Sequence, residues 1–181
     1  MIVGLTGKFA AGKGTVADHL VRLGYRYHSL SDVIREDLKA RGVAESREAL
    51  TEAGNRLRRE DGPAALAVHI LERLKDGGRH IVDSIRNPAE VEVLKQLPNF
   101  YMIGVDADPR IRFERLIARN RQGDPTTFEQ FAALEERETT STDPSTQQLR
   151  ATWALVDEVV CNDGTIAELE QAVAAVLERR S

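Results

Sequence analysis

Nine residues near the start of the chain, Gly7-Lys8-Phe9-Ala10-Ala11-Gly12-Lys13-Gly14-Thr15, constrain its fold more than any other stretch. The spacing G-x-x-x-x-G-K lets successive backbone N–H groups turn inward around phosphate oxygens, and glycine is needed where the turn leaves no room for a side chain. Lys13 then reaches toward the β- and γ-phosphates of a nucleoside triphosphate. The helix that follows aims its positive end at the same anion. Such a loop works only between a strand and a helix. Ile2–Leu5, short and apolar, precedes it, and Val16–Leu23 has helical patterning, so the context is met. A glycine-rich turn matching by chance would not come with both. The expected ATP-binding set is Gly7, Ala10, Ala11, Gly12, Lys13, Gly14, Thr15 and Val16. Gly14 stands where Ser or Thr is usual, so Thr15 is assigned the hydroxyl near Mg²⁺. Lys8 reads as a solvated side chain.

Beyond the loop, apolar β-branched runs alternate with amphipathic stretches, the pattern of a parallel sheet covered by helices. Strands are expected at Ile2–Leu5, Tyr25–Ser29, His80–Asp83, Tyr101–Val105 and Glu158–Cys161. Helices are expected at Thr15–Leu23, Val33–Ala40 behind a Ser31-Asp32 cap, Ser46–Glu60, Pro63–Leu74 with Pro63 in the first turn, and Pro88–Leu97. Three more follow at Pro109–Arg119, Thr127–Arg137 and Ile166–Arg179. The polar stretch Thr139–Ser145 reads as a mobile loop. With 181 residues and no repeat or linker, residues 1–181 are expected to form one domain.

Composition narrows the function classes. A net charge of −4 gives no global attraction for nucleic acid or an anionic membrane. No apolar run approaches the roughly 20 residues of a membrane span, and the start lacks the basic segment of a secretory signal. Cys161, the only cysteine, permits no internal disulfide and fits a reducing cytoplasm. His19, His28, His69 and His80 lack metal-ligand spacing.

Several segments, each at the end of a predicted strand, resemble nucleoside monophosphate kinases. Gly-Lys-Gly-Thr is how adenylate kinases and their relatives spell the phosphate loop. Ser29-Leu30-Ser31-Asp32-Val33-Ile34-Arg35 is similar to their Ser-Thr-Gly-Asp-Leu-(Leu/Ile)-Arg segment, which implies acceptor contacts for Asp32 and Arg35. Asp83-Ser84-Ile85-Arg86 resembles their Asp-Gly-(Phe/Ile)-(Pro)-Arg segment. That likeness implies that Asp83 orients Mg²⁺ and that Arg86 grips the acceptor phosphate. Asp106…Glu114-Arg115…Arg119 resembles the approach to their lid, and Val160-Cys161-Asn162-Asp163-Gly164-Thr165 resembles the adenine-side run of dephospho-CoA kinases and deoxynucleotide kinases. Donor contacts are thereby implied for Arg115, Arg119 and Asn162. Leu57-Arg58-Arg59-Glu60-Asp61-Gly62-Pro63 completes a likeness to archaeal-type dephospho-CoA kinase-like proteins.

The resemblance implies an α/β P-loop NTPase fold: a three-layer sandwich of about five parallel strands with helices on both faces. It also implies an acceptor-binding helical region near residues 31–76 and a helical lid near 120–145. Arg86 follows a buried strand directly, where a charge has little structural reason to be placed, and Arg115, Arg119 and Arg121 lie close together with few acids beside them. Lys13, Asp83, Arg86 and Arg119 are thus the expected catalytic set, and Arg137 is given a weak lid role. The expected reaction moves the γ-phosphoryl group of ATP, with Mg²⁺, to a nucleoside or deoxynucleoside monophosphate. The runner-up acceptor is the sugar hydroxyl of a dephospho-CoA-like molecule, against which stand the single aspartate of Leu30-Ser31-Asp32 and the presence of Arg86. A regulatory ATPase is the non-kinase alternative. The protein is expected to be cytoplasmic, monomeric or homodimeric, and to bind a nucleotide-like small molecule.

Overall fold

The computed structural model describes residues 1–120, 124–140 and 142–180. Arg121, Gln122 and the side chain of Arg137, expected in or near the lid, lie outside what it describes. The chain begins β1 (Ile2–Gly7), α1 (Lys13–Arg22), β2 (Arg26–Ser29), α2 (Leu30–Ala40), α3 (Arg47–Asp61) and α4 (Ala65–Ile70), which tightens into a 3₁₀ turn over Leu71–Leu74. It continues β3 (His80–Asp83), α5 (Pro88–Leu94), β4 (Phe100–Asp106), α6 (Pro109–Arg119) and α7 (Phe128–Thr140). Last come α8 (Leu149–Trp153), β5 (Glu158–Cys161) and α9 (Ile166–Glu178).

All described strands join one sheet in the order β2-β3-β1-β4-β5, and every neighbouring pair is parallel. Strand β1 is buried along all six residues, as a strand covered on both faces must be. Alternation along the strands separates two cores. Ile2, Val82 and Met102 point to one face and pack with Leu30 and Ile34 of α2, Leu57 of α3, Leu66 and Ile70 of α4, and Val91 and Leu94 of α5. Val3, Leu5, Ile81, Ile103 and Val160 point to the other, against Val16 and Leu20 of α1 and Val173 and Val176 of α9. The expected three-layer α/β architecture with five parallel strands is the observed one.

The differences lie at element ends. Ser29, not Ser31-Asp32, caps α2: its side-chain oxygen accepts from the Ser31 N–H at 3.2 Å, so the helix begins three residues early. Pro63 precedes α4 instead of opening it, and the expected helix Pro63–Leu74 is two short pieces. Helix α5 stops at Leu94. Helix α7 runs through Thr140, into a stretch read as loop, because Phe131 and Glu135 fasten it to the rest of the fold. Helix α8 is too short to show a periodicity and was not expected. It seats Trp153 on the bare backbone of Gly104, where a Cβ would lie 3.0 Å from the indole ring.

Candidate active site

The phosphate loop links β1 to α1 at the carboxyl edge of the sheet. Gly12 caps α1 with φ 101°, a left-handed conformation suited to glycine, and being glycine it offers no side-chain cap to the helix start. The first turn carries no acidic residue. Its N–H groups and the positive helix end are therefore available to an anion. A Cβ on Gly12 would lie 2.1 Å from Asn162 Nδ2, which donates to the Ala11 carbonyl at 2.9 Å. A Cβ on Gly7 would lie 2.4 Å from the Val105 carbonyl. At Gly14 a Cβ would meet nothing within 4 Å, so packing does not require that glycine. The Val16 side chain is in the core and its N–H donates to Gly12 O at 3.2 Å. Its part in the loop is structural.

Beside the loop opens a cleft of about 580 Å³ between the phosphate loop, α2, α3 and the residues after β3. Among the described residues, six cationic side chains line it (Lys13, Arg35, Arg47, Arg58, Arg86 and Arg119) against two carboxylates, Glu45 and Asp124. In a chain of net charge −4 this is a locally positive recess. Arg35 Nε donates to Glu45 at 3.1 Å and its Nη1 to Asp32 at 2.9 Å. Burial acts to lower the Arg35 pKa, but the two carboxylates outweigh it and raise it. Asp32 itself does not line the cleft; its carboxylate holds Arg35.

Arg86 is fixed on three sides. Its guanidinium donates to Gln147 at 2.7 Å, its backbone N–H to Glu90 at 3.0 Å, and its carbonyl accepts from Gln148 N at 2.8 Å. Glu90 is fully buried and its Oε1 takes two bonds from Arg58, at 3.0 and 2.7 Å. Its Oε2 also receives the Asn87 N–H, completing a capping box at the start of α5. The arginine loop thus rests on a buried ion pair whose cation comes from the opposite wall of the cleft.

Asp83 stands at the end of β3, next to β1, but outside the cleft lining. It accepts from Tyr27 Oη at 2.9 Å and from Ser84 N at 2.6 Å. Burial first, then the Asp83 charge, pushes the Tyr27 hydroxyl up from its ordinary value. Ser84 is left-handed at φ 65°. Among the described residues no three His, Cys, Asp or Glu side chains group to hold a metal. The Thr15 hydroxyl and Asp83 carboxylate are hard oxygen donors of the kind Mg²⁺ takes when phosphates supply further ligands.

Arg115 reaches Asn162: its Nη2 donates to Asn162 Oδ1 at 3.4 Å, and its Nη1 is buried without a hydrogen-bond partner in the described structure. A phosphate oxygen would satisfy it. Arg119 is not short of an acid, contrary to the sequence expectation, since its Nε donates to Asp124 at 2.9 Å. Lys8 is not merely solvated but pairs with Asp106 at 2.9 Å.

Sequence reasoning gave no role to four residues packed around the cleft and loop. Arg47 gave no signal beyond its place after a helix cap. Arg58 shares a buried stripe with Gly54 and Leu57, which could have marked it. Arg112, fully buried, donates to Ala107 O at 2.8 Å and Phe9 O at 3.2 Å, and forms a two-bond pair with Glu135 of α7, one arm at 3.0 Å. Phe9 joins Phe113, Phe128 and Phe131 in a ring cluster with centroid spacings of 5.6 to 6.4 Å. The spacing of Phe128 and Phe131, one helical turn apart, was the available clue.

Residues 3–140 match the AAA domain family. A UPF0200 protein of Pyrobaculum aerophilum is 34% identical over 178 residues, covering 97% of this chain and 96% of that protein. A UPF0200 protein of Pyrococcus abyssi is 31% identical over 186 residues, covering 99% and 96%. Among solved structures, TT1252 from Thermus thermophilus superposes with a TM-score of 0.64 at 23% identity, over 100% of this chain and 98% of that one. Shikimate kinase from Aquifex aeolicus gives 0.57 at 14%, over 99% and 97%. Dephospho-CoA kinase from Campylobacter jejuni gives 0.54 at 15%, also over 99% and 97%. The shared fold is that of P-loop kinases. Among the described residues no helix is long and apolar enough to cross a membrane.

Proposed function

Because the chain belongs to the AAA domain family and to the UPF0200 proteins, and folds as a P-loop kinase, we propose that it is an ATP-dependent kinase whose acceptor carries a phosphate, a nucleoside or deoxynucleoside monophosphate. The observation that carries this reading is the composition of the cleft among the described residues: six cations, and two carboxylates that are both held by arginines. A hydroxyl acceptor calls for a carboxylate base near it. A phosphate acceptor is already ionised near neutral pH and calls for cations.

In this reading the loop amides, the α1 N-terminus and Lys13 bind the donor phosphates, with Arg115 and Asn162 beside them. Arg86 and Arg35 hold the acceptor phosphate. Thr15 and Asp83 would hold Mg²⁺, which when bound neutralises charge on the donor phosphates. An acceptor phosphate oxygen forms a bond to the γ-phosphorus as the bond from that phosphorus to the bridging oxygen breaks, and ADP leaves. No proton need move. The protein's work is alignment and charge neutralisation. Residues 31–76 would form the acceptor side, and the expected lid, part of which lies outside the described residues, would cover the site against hydrolysis.

The test is a coupled ADP-release assay over nucleoside monophosphates, deoxynucleotides and dephospho-CoA, repeated with Arg86→Ala. A monophosphate should be the acceptor. The variant should lose about 30- to 1000-fold in kcat/KM for it, equivalent to about 2–4 kcal/mol, with ATP affinity little changed. Turnover of dephospho-CoA alone would move the acceptor assignment to a hydroxyl, and steady ATP hydrolysis with no phosphorylated product would favour a regulatory ATPase.

A further inference from the structure

Three elements bring cations and one carboxylate together around Phe9. Arg47, first residue of α3, and Arg119, last residue of α6, have their guanidinium carbons 4.9 and 4.7 Å from the centre of the Phe9 ring. Both reach the same acid: Asp124 Oδ2 accepts from Arg119 Nε at 2.9 Å, and Asp124 Oδ1 lies 3.8 Å from Arg47 Nη1. Phe9, Arg47, Arg119 and Asp124 all line the cleft with Lys13. The Asp124 side chain is 12% exposed, whereas Glu45 and Asp32, which hold Arg35, are 53% and 43% exposed. The Arg35 pairs are ordinary solvated contacts of small energetic consequence. The Asp124 group is built in.

We propose that Arg47 and Arg119, spread over Phe9, form a phosphoryl-binding subsite that bridges the donor and acceptor sides, and that Asp124 fills it as an internal anion in the free protein. The proposal rests on the phosphate-transfer reading above and adds to it a residue, Arg47, and a competitor, Asp124. The physical case is charge and geometry. Two guanidinium groups aimed at one carboxylate offer the forked donors that phosphate also takes. The aromatic ring beneath holds both cations without neutralising them. A phosphate arriving at Lys13 meets the negative charge of Asp124 in the same recess, so the carboxylate opposes ligand binding wherever its side chain ends up. A carboxylate that only positioned Arg119 would instead help the ligand.

The two roles predict opposite signs. Asp124→Asn keeps the shape and removes the charge. It should bind inorganic tripolyphosphate and ATP about five- to tenfold more tightly than the unchanged protein, read by calorimetry on the full chain. In the Asp124→Asn background, Arg47→Gln should then weaken tripolyphosphate binding by about tenfold, and by less in the unchanged protein, where Asp124 already engages the arginine. A circular-dichroism melt on each variant confirms that it is folded. If the unchanged protein binds ATP but Asp124→Asn binds it equally or less well, Asp124 is a positioning residue and the internal-anion proposal is overturned. If Arg47→Gln alters binding in neither background, Arg47 has no place in the subsite. If the unchanged protein binds neither ligand, the phosphate-loop reading itself fails and takes the subsite with it.

Discussion

Ala10 holds φ 59° in the bend of the phosphate loop, a left-handed conformation that costs a residue with a Cβ about 1–2 kcal/mol. Replacing it with glycine removes that strain at some entropic cost in the unfolded chain. Ala10→Gly should therefore raise stability by about 1 kcal/mol, or roughly 2–4 °C in Tm, in a calorimetric melt. An unchanged or lowered Tm would mean that the loop relaxes in solution. Lys13→Ala should leave the protein folded and cost about 3 kcal/mol or more in turnover. Retention of more than half the activity would remove the phosphate loop from the mechanism. Glu90 is the residue whose loss should be felt twice. It is fully buried against Arg58 and also binds the backbone of Arg86 and Asn87. Glu90→Gln strands a buried guanidinium, at about 3–5 kcal/mol of stability, and should lower acceptor kcat/KM even where the protein remains folded. An effect on the melt without one on acceptor kinetics would separate the ion pair from the placement of Arg86.

At the scale of elements, α7 is tied down by a ring cluster and a buried arginine. Phe131 is 1% exposed and touches three other phenylalanine rings. Phe131→Ala should cost about 3–5 kcal/mol and speed amide exchange along α7 more than along α1. Equal acceleration in both helices would argue against α7 as a separately fastened piece. Strands β2 and β3 carry a different kind of tie. His80 is fully buried, with its Nε2 2.8 Å from the Asp76 carboxylate and its Nδ1 3.1 Å from His28 Nε2. A carboxylate can only accept, so the His80 Nε2–H donates to Asp76. Burial, then the positive charges of His80, Arg73 and Arg26, lowers the His28 pKa below 6.5, and Asp76 opposes this in part. The unfolded chain therefore takes up the proton first as pH falls. The stabilisation is complete above about pH 6.5 and is lost below it as the folded value is approached. Tm should drop between pH 8 and 5.5, and His28→Gln should flatten that slope; a slope unaffected by the substitution would assign it elsewhere. Strand positions were legible in the sequence because buried parallel strands are continuous apolar runs, as at Ile81 and Ile103. Helix ends were less so. Whether Ser29 or Ser31 caps α2, and whether α7 stops before Thr139, depends on contacts that no local pattern records.

Across the whole molecule, the sheet order gathers the segments after β1, β3, β4 and β5 at one edge, where open α/β folds bind ligands. Strand-end motifs made Lys13, Arg35, Arg86 and Arg119 legible as one group, and the cleft does collect them. The pairings of Arg47 and Arg58 were hidden because their partners, Asp124 and Glu90, are 77 and 32 residues away along the chain. On the proposed reading, a positive recess in a negative protein should also make ATP capture sensitive to salt. The association rate should fall steeply between low and physiological ionic strength, while the dissociation rate changes little, by stopped-flow. A flat salt profile would deny the recess any long-range pull. The contact from Asn162 to the Ala11 carbonyl spans 151 residues and joins the loop after the edge strand β5 to the phosphate loop at the centre of the sheet. It sets a timetable. During synthesis the Gly7–Thr15 segment emerges first, yet its brace arrives only when β5 has been made and has docked beside β4. A nascent chain halted before Glu158 would carry every residue of the phosphate loop and still lack the amide that braces it at Ala11, so on the proposed reading nucleotide binding should await the finished sheet.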